Sequence, residues 1–245
     1  MTTRRGVDAK PGTAVAMTGK VTSRGRRAPA DAMAPGHVLF GSAGSGSAAI
    51  EAALGRCGLP FRIVDAASWD AASALDELAA VNPLRQIPVL CLPDGSVLTE
   101  SAAILIHLGL AHPASGLLPT DPSGRDQAIR GLVFIAANCY AAIGVIDHPE
   151  RWCDDATAPM KSRIRRAARQ RLHAHWEVFA DQFAAPGRFF TDEALGALEL
   201  LAAVVSRWSG TRAHLRKARP SFLASLERID ADPRVAPVFA RHWPG

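Results

Sequence analysis

The sequence predicts an α/β domain that is followed by an all-helical domain. Two observations carry this prediction. Between residues 37 and 111, short apolar segments alternate with amphipathic helical ones, whereas from Asp121 onward only helical patterns remain. The segment between the two, LAHPASGLLPTDPSG, is dense in proline and glycine, as linkers are. The 245 residues of the chain are enough for two small domains.

Seven segments define the first domain, which we place at residues 35–111. In chain order they are GHVLF, AAIEAALGRCG, PFRIVD, SALDELAAV, IPVLCL, SVLT and ESAAILIHLGL, and they predict the order β-α-β-α-β-β-α. A right-handed crossover makes the first two strands parallel. The turn at Pro93-Asp94-Gly95 suits a hairpin, which adds an antiparallel strand. A mixed four-stranded sheet with helices on both faces is the thioredoxin-like plan.

Helical periodicity alone defines the second domain, which we place at residues 121–245. One long segment carries an apolar stripe at helical spacing, formed by Ile164, Ala168, Leu172, Trp176, Phe179 and Phe183. The segment ALGALELLAAVV is apolar almost all round, as the central helix of a bundle is. No apolar run reaches the ~18 residues that a membrane span needs, and this segment carries Glu199 in its middle. We therefore expect no contact with a membrane.

The basic charge is confined to one end of the chain. The net charge is +5, and residues 1–34 hold seven Lys and Arg against two Asp, so the remainder is neutral. A neutral domain lacks the basic surface that phosphate binding needs, and no nucleic-acid partner is expected. Residues 1–34 also lack the apolar core of a secretory signal. We expect a disordered basic tail or a mis-called start, with Met33 as the natural initiator and a transit peptide as the alternative.

The four cysteines, at positions 57, 91, 139 and 153, form neither a C-x-x-C pair nor a metal-type spacing. The sequence therefore predicts no metal site. Nothing in it requires an oxidising compartment, and a cytoplasmic location is the default.

Two motifs carry a family resemblance. Residues 82–90, NPLRQIPVL, match the pattern N-P-x-x-[QK]-[VI]-P-x-L at every fixed position, and the segment TESA begins at residue 99. A thioredoxin-like half with these motifs, joined to a helical half, resembles the cytosolic glutathione transferases of the bacterial, serine or beta-like type. The resemblance spans about residues 37–243.

The resemblance implies a glutathione site around Ile87 and Pro88. The bond between them is expected to be cis, as ~5% of X-Pro bonds are, usually in tight turns. The N–H and C=O of Ile87 would then pair with the cysteinyl main chain of glutathione, as an added strand would. Gln86, together with Arg85, is a weaker candidate for binding the glycyl carboxylate. An isolated Ile-Pro would by itself indicate only an edge strand.

Glu100 and Ser101 are expected at the start of the last helix of the first domain. Free N–H groups and a partial positive charge let helix N-termini bind carboxylates. The resemblance implies that Ser101 binds the γ-glutamyl carboxylate and Glu100 the neighbouring ammonium group. An ordinary N-cap is the alternative explanation of the two residues.

The catalytic group is expected in GSAGSGSAA, residues 41–49. A serine hydroxyl at the start of a helix can lower the pKa of a bound thiol from ~8.5. Aligned with cysteine-type enzymes, the cysteine falls on Gly46 and the next serine on Ser47, while serine-type enzymes place their second serine on Ser45. Ser45 and Ser47 both remain candidates, with Ser42 third, and an N-cap without catalytic role is the alternative. Activation by tyrosine is excluded, because the only tyrosine, Tyr140, lies in the second domain.

The resemblance further implies that the second domain lines the pocket for an electrophile. Asn138, Tyr140 and Trp208 are the candidates, with Trp152 also plausible. We expect a homodimeric glutathione transferase, with glutathione as co-substrate, that adds the thiolate to small apolar electrophiles. The alternatives are a non-catalytic binding module of the same fold and a glutathione-dependent isomerase. A reductase is disfavoured, because Gly46 stands where its cysteine would be.

Overall fold

The computed structural model describes residues 36–244, apart from residues 68, 185–188, 192 and 194. The predicted tail, residues 1–34, lies outside the described residues. The sheet has four strands, β1 His37–Gly41, β2 Phe61–Asp65, β3 Val89–Cys91 and β4 Val97–Thr99. Their order across the sheet is β2-β1-β3-β4, with β1 and β2 parallel and β3 antiparallel to both neighbours. The predicted mixed sheet is confirmed.

Three helices accompany the sheet, α1 Ser47–Arg56, α2 Leu75–Val81 and α3 Ser101–Ala111. Successive residues of a strand point to opposite faces. Leu39 and Leu90 accordingly pack in the cluster that contains α1 and α3, whereas Val38 and Phe40 pack in a second cluster with Leu78 of α2. The sheet therefore has helices on both faces, as the sequence predicts.

Helices alone form the rest of the described chain. They are α4 Pro122–Phe134, α5 Ala141–Asp147, α6 Ala158–Phe183, α7 Ala197–Val205, α8 Thr211–Ala218, α9 Pro220–Ala231 and α10 Ala236–His242. Helix α7 is buried along its whole length and packs against α1 and α3, so the sheet region and the helical region share one hydrophobic core. The boundary of the two domains stays a prediction.

Helices α4 and α5 are joined without a break by a π-helical segment, Ile135–Tyr140. The run Pro122–Asp147 is long and apolar enough, by length and composition, to cross a membrane. This finding corrects the expectation that no segment qualifies. One side of the run faces the protein core, where Leu132, Ile135 and Cys139 are fully buried. Tyr140 is the last residue of the π-helical segment.

Helix α7 begins without the serine or threonine that often caps a helix, since Gly196 precedes it. The buried carboxylate of Glu199 accepts hydrogen bonds from the Gly196 N–H at 3.0 Å and from the Phe190 N–H at 3.1 Å. Burial nevertheless raises the pKa of this carboxyl above its ordinary value. Glu199 thus stabilises the start of the central helix from inside the core.

Candidate active site

A cavity of about 990 Å³ lies between the sheet region and the helical region. Its wall is formed by the loop between β1 and α1, the segment before β3, the start of α3, and residues of α5 and of the turn after α7. Of the ten predicted site residues, eight line it, namely Ser45, Gln86, Ile87, Pro88, Glu100, Ser101, Tyr140 and Trp208. Residues from distant parts of the sequence thus meet around one space.

Two predicted site residues, Ser47 and Asn138, do not line the cavity. The hydroxyl of Ser47 is buried beneath the loop, where Ser47 faces Gly41 at the end of β1. The Asn138 amide donates a hydrogen bond of 3.1 Å to the Phe134 carbonyl within its own helical run. Neither side chain lines the cavity, so any effect of either on a bound ligand passes through other residues.

The segment before β3 is held by the buried side chain of Asn82. Its carbonyl oxygen accepts a hydrogen bond from the Leu84 N–H at 3.1 Å, and its amide donates to the Gln86 carbonyl at 2.9 Å. The Ile87-Pro88 peptide bond is cis, as expected. Within the described part of the chain, no hydrogen bond involves the N–H or C=O of Ile87. A ligand in the cavity can therefore use both groups.

Glu100 and Ser101 occupy the N-terminus of α3, where the prediction puts them. The Ser101 side chain is nearly buried, and its hydroxyl has no hydrogen-bond partner among the described residues. Glu100 precedes the helix and adopts a φ of +66°. Serine and a free helix N-terminus together form an arrangement that binds carboxylates.

Left-handed backbone conformations are concentrated at the cavity. Five non-glycine residues of the described chain have positive φ, and three of them, Arg85, Glu100 and Ser209, line this space. Such conformations are unfavourable for residues with a Cβ, and strained residues cluster at functional sites. Their position is a further reason to regard the cavity as functional.

Ser45 and Ser47 form one hydrogen-bonded network. The Ser45 hydroxyl donates to the Ser42 carbonyl at 2.7 Å, and the Oγ atoms of Ser45 and Ser47 are 2.8 Å apart. Ser45 Oγ also accepts from the Ser47 N–H at 3.2 Å. Because Ser47 can donate to Ser45, the Ser45 proton is free to turn toward a ligand without leaving either oxygen unpaired.

The hydroxyl of Tyr140 lies directly above Gly46, the residue that precedes α1. A Cβ at position 46 would stand 2.3 Å from Tyr140 Oη and 3.6 Å from Ser101 Oγ. The Tyr140 ring packs on Trp208, with ring centroids 5.6 Å apart. The reason for excluding tyrosine, its place in the helical half of the sequence, therefore no longer holds.

Several residues of the cavity wall are not predicted by the motifs. Trp69 lines it while remaining 66% exposed, and Trp152, which the family resemblance already suggests, lines it while remaining 64% exposed, so both flank its opening. Asp147, His148 and Arg151 line it from the end of α5 and the turn that follows. The polar stretch DHPER after an apolar helix is the feature of the sequence that could have indicated them.

Metal ligation has no candidate in the described ranges of the chain, where no three His, Cys, Asp or Glu side chains are grouped. Cys91 and Cys139 are buried, and burial raises the pKa of both thiols. Among the described residues, the cavity wall carries hydroxyl, carboxyl, imidazole and guanidinium side chains, and the start of α3 adds helix N-terminal groups.

Both the sequence and the fold of this chain are similar to those of known proteins. Residues 47–110 match the family model of the glutathione S-transferase N-terminal domain. A glutathione transferase homologue from Sulfitobacter, solved with bound glutathione, superposes with a TM-score of 0.71 at 20% identity over 84% of this chain and 97% of that one. BphK, a bacterial glutathione transferase, superposes with a TM-score of 0.66 at 26% identity over 84% and 98%. The chain has the glutathione transferase fold.

Several curated proteins match parts of this chain in sequence. The chain is 33% identical to the GST-like protein YncG of Escherichia coli K12 over 127 residues, which are 51% of this chain and 62% of that protein. It is 29% identical to the maleylacetoacetate isomerase of Rhizobium meliloti strain 1021 over 202 residues, 72% and 94% of the two chains. For YncG and for GstA of Escherichia coli O157:H7, the match spans 62% and 52% of the relative, under two thirds of either.

Proposed function

We propose that this protein is a glutathione-dependent transferase whose active site is the cavity of Ile87, Ser101 and Ser45. One observation carries the proposal. Among the described residues, the main-chain groups of Ile87 and the hydroxyl of Ser101 have no hydrogen-bond partner, and both residues line one cavity together with Ser45. A tripeptide with a carboxylate at one end and a thiol in the middle can contact all three.

In the proposed complex, Ile87 pairs with the cysteinyl main chain and Ser101 binds the γ-glutamyl carboxylate, while Glu100 faces the ammonium group. The cysteinyl side chain then extends toward the loop before α1. That helix has ten residues, and its N-terminus favours a negative charge. Gln86 and Arg85 line the wall on the other side of Ile87 and are the candidates for the glycyl carboxylate.

The reaction follows from this placement. Lowering a thiol pKa of ~8.5 by ~2 units requires ~2.7 kcal/mol. A hydrogen bond to a charged group contributes ~1.5–3 kcal/mol and a helix N-terminus up to ~1 kcal/mol. The thiol proton passes to solvent, and the sulfur then forms a bond to the electrophilic carbon, from which the leaving group departs with its electron pair. Trp69, Trp152 and Trp208 provide an apolar surface for the electrophile.

Ser45 is the serine that we propose as a donor, because it lines the cavity and Ser47 does not. Ser47 would act by donating to Ser45 Oγ while Ser45 donates to the thiolate. Conjugation of glutathione to 1-chloro-2,4-dinitrobenzene tests this assignment in Ser45→Ala and Ser47→Ala. We expect the larger loss for Ser45→Ala, whereas an unaltered rate in both variants would leave no role for either hydroxyl.

Binding is tested separately from turnover. We expect immobilised glutathione to retain the purified full chain, and millimolar glutathione to raise its melting temperature. Failure of both would contradict the proposed function. Binding with no conjugation of any electrophile would instead support the alternative, a non-catalytic module of the same fold.

A glutathione-dependent isomerase is the second candidate. Two curated matches are named as maleylacetoacetate isomerases, a probable one from Caenorhabditis elegans and the one from Rhizobium meliloti. Arg85, His148 and Arg151 line the cavity and can bind an acidic substrate. An assay with maleylacetoacetate distinguishes the two candidates, because an isomerase consumes no glutathione while it turns over its substrate.

A further inference from the structure

Tyr140 is a polar residue of the cavity that the proposed function leaves without a role. Its hydroxyl stands 2.3 Å from the point that a Cβ on Gly46 would occupy. Gly46 immediately precedes α1, so the phenol lies at the end of the helix toward which the thiol of glutathione extends. The glycine is required here because any side chain would displace the tyrosine.

No hydrogen bond of the Tyr140 hydroxyl is found among the described residues, although its ring is held against Trp208. A partly buried phenol without a partner is uncommon, because such groups usually find an acceptor. Tyr140 ends the π-helical segment between α4 and α5, and π-helical turns are frequent at functional sites. The donor is therefore fixed in position and available to a ligand.

Resting on the proposed function, we infer that Tyr140 donates a hydrogen bond to the glutathione sulfur and is, together with Ser45, a catalytic residue. The phenol and the N-terminus of α1 would stabilise the thiolate from two sides. In the structure, the Ser45 hydroxyl is engaged with the Ser42 carbonyl at 2.7 Å, whereas the phenol is not engaged. Tyr140 can therefore donate without breaking a bond within the protein.

The charge state of the phenol suits this role. Burial, with smaller contributions from Asp147 and Glu100, raises the pKa of Tyr140 above its ordinary value. The group stays protonated at neutral pH and acts as a donor rather than as a base. It stabilises the thiolate, and the thiol proton still leaves to solvent.

The test is the pKa of the thiol of bound glutathione, measured from the ultraviolet absorbance of the thiolate in wild type, Tyr140→Phe and Ser45→Ala. Phenylalanine keeps the ring on Trp208 and removes only the oxygen. We expect the thiol pKa in Tyr140→Phe to rise by about one to two units, with about a 3- to 25-fold loss of kcat/KM at pH 7, because the thiolate fraction falls by that factor. An unchanged thiol pKa overturns the inference. It does so even where the KM for the electrophile rises, because Tyr140 would then contact only the electrophile.

A spectroscopic test uses the fact that the chain contains a single tyrosine. Fluorotyrosine labelling therefore gives one fluorine resonance, that of Tyr140. We expect glutathione to move this resonance clearly more than S-methylglutathione does, because the methylated sulfur carries no charge. Equal shifts with both ligands contradict a bond to the thiolate. Absence of any binding to the wild type would contradict the proposed function itself, and this inference with it.

Discussion

Nε2 of His242 donates a hydrogen bond of 2.9 Å to the buried carboxylate of Glu51, which joins the last helix of the chain to α1. The other oxygen of Glu51 is paired with Arg241. A Cβ on Gly44, in the loop before α1, would lie 3.6 Å from the His242 carbonyl and 3.7 Å from Trp243 Nε1. The C-terminal end of the described chain thus supports both α1 and the loop that borders the cavity.

Replacing Glu51 by glutamine is expected to destabilise the fold in a pH-dependent way. Burial opposes ionisation of Glu51, but the bonds from His242 and Arg241 outweigh it and hold the pKa of the carboxyl below 4.5. The ionised group therefore stabilises the fold above about pH 4.5, and this contribution is lost as the pH falls through the lowered pKa. Urea unfolding should show Glu51→Gln about 1–3 kcal/mol less stable than wild type at pH 7, with a smaller difference at pH 4.

Glu177 offers the matched control, because it too pairs with one histidine and one arginine. Its Oε1 lies 2.9 Å from His214 Nε2, the same distance as in the buried pair, and its Oε2 lies 3.0 Å from Arg219. The side chains of Glu177 and His214 are 31% and 30% exposed, so solvent screens the pair. We expect Glu177→Gln to cost less than about 1 kcal/mol. Equal losses in the free energy of unfolding in Glu51→Gln and Glu177→Gln would contradict the claim that burial makes the Glu51 pair the more stabilising one.

Removing the Asn82 side chain is expected to weaken glutathione binding. Asn82→Ala breaks the two bonds that hold the segment before Ile87, at a cost of about 1–3 kcal/mol. Where this cost falls on the bound geometry, the Kd for glutathione rises about 5- to 140-fold, which calorimetric titration measures. The control is Ser115→Ala. Ser115 also bridges a turn, by a 2.6 Å bond to the His112 carbonyl and a 3.3 Å bond from the Leu117 N–H, but does not line the cavity.

For Ser115→Ala, we expect lower stability with an unchanged Kd for glutathione. A Kd that is the same in Asn82→Ala as in wild type would show that the segment keeps its shape without this side chain.

Gly46→Ala is expected to clash with Tyr140, and removal of the hydroxyl is expected to relieve the clash. The backbone of Gly46 has φ −62° and ψ −15°, which alanine adopts readily, so any cost comes from the 2.3 Å approach to Tyr140 Oη. We expect a loss of about 1–3 kcal/mol in the wild-type background and a clearly smaller loss beside Tyr140→Phe. Gly55 lies within α1 and has nothing within 4 Å of a new Cβ, so Gly55→Ala should raise stability by about 0.5–1 kcal/mol. Losses that simply add in the double variant would contradict the contact.

The sequence predicts most of the fold for identifiable reasons. Alternation in HVLF sends Val38 and Phe40 to one face of the sheet and Leu39 to the other, and periodicity in α6 leads to the buried Leu172, Trp176 and Phe179. These patterns are local, so a single sequence shows them. The π-helical segment Ile135–Tyr140 is not predicted, because its residues have the same helical periodicity as those around them.

The sequence predicts those residues of the candidate site that lie in the two motifs, but not the contacts between residues that are far apart in the chain. Residues 82–90 and 99–102 are close in sequence, and the structure brings them to one cavity. Tyr140 lies 94 positions beyond Gly46, and His242 lies 191 positions beyond Glu51, so no local pattern links either pair. The place of Ser47, beneath the loop rather than in the cavity, depends on the close approach of α1 to Gly41. Such contacts follow only from the packing of the whole chain.

A crystal structure of the full chain with glutathione tests the central claim most directly. We predict that the cysteinyl main chain pairs with the N–H and C=O of Ile87, that the γ-glutamyl carboxylate lies at Ser101, and that the sulfur lies at the N-terminus of α1. Hydrogen-bond distances of about 2.7–3.2 Å at Ile87 and Ser101 would support the account. Glutathione bound outside this cavity, or reversed so that its glycyl carboxylate lies at Ser101, would contradict it.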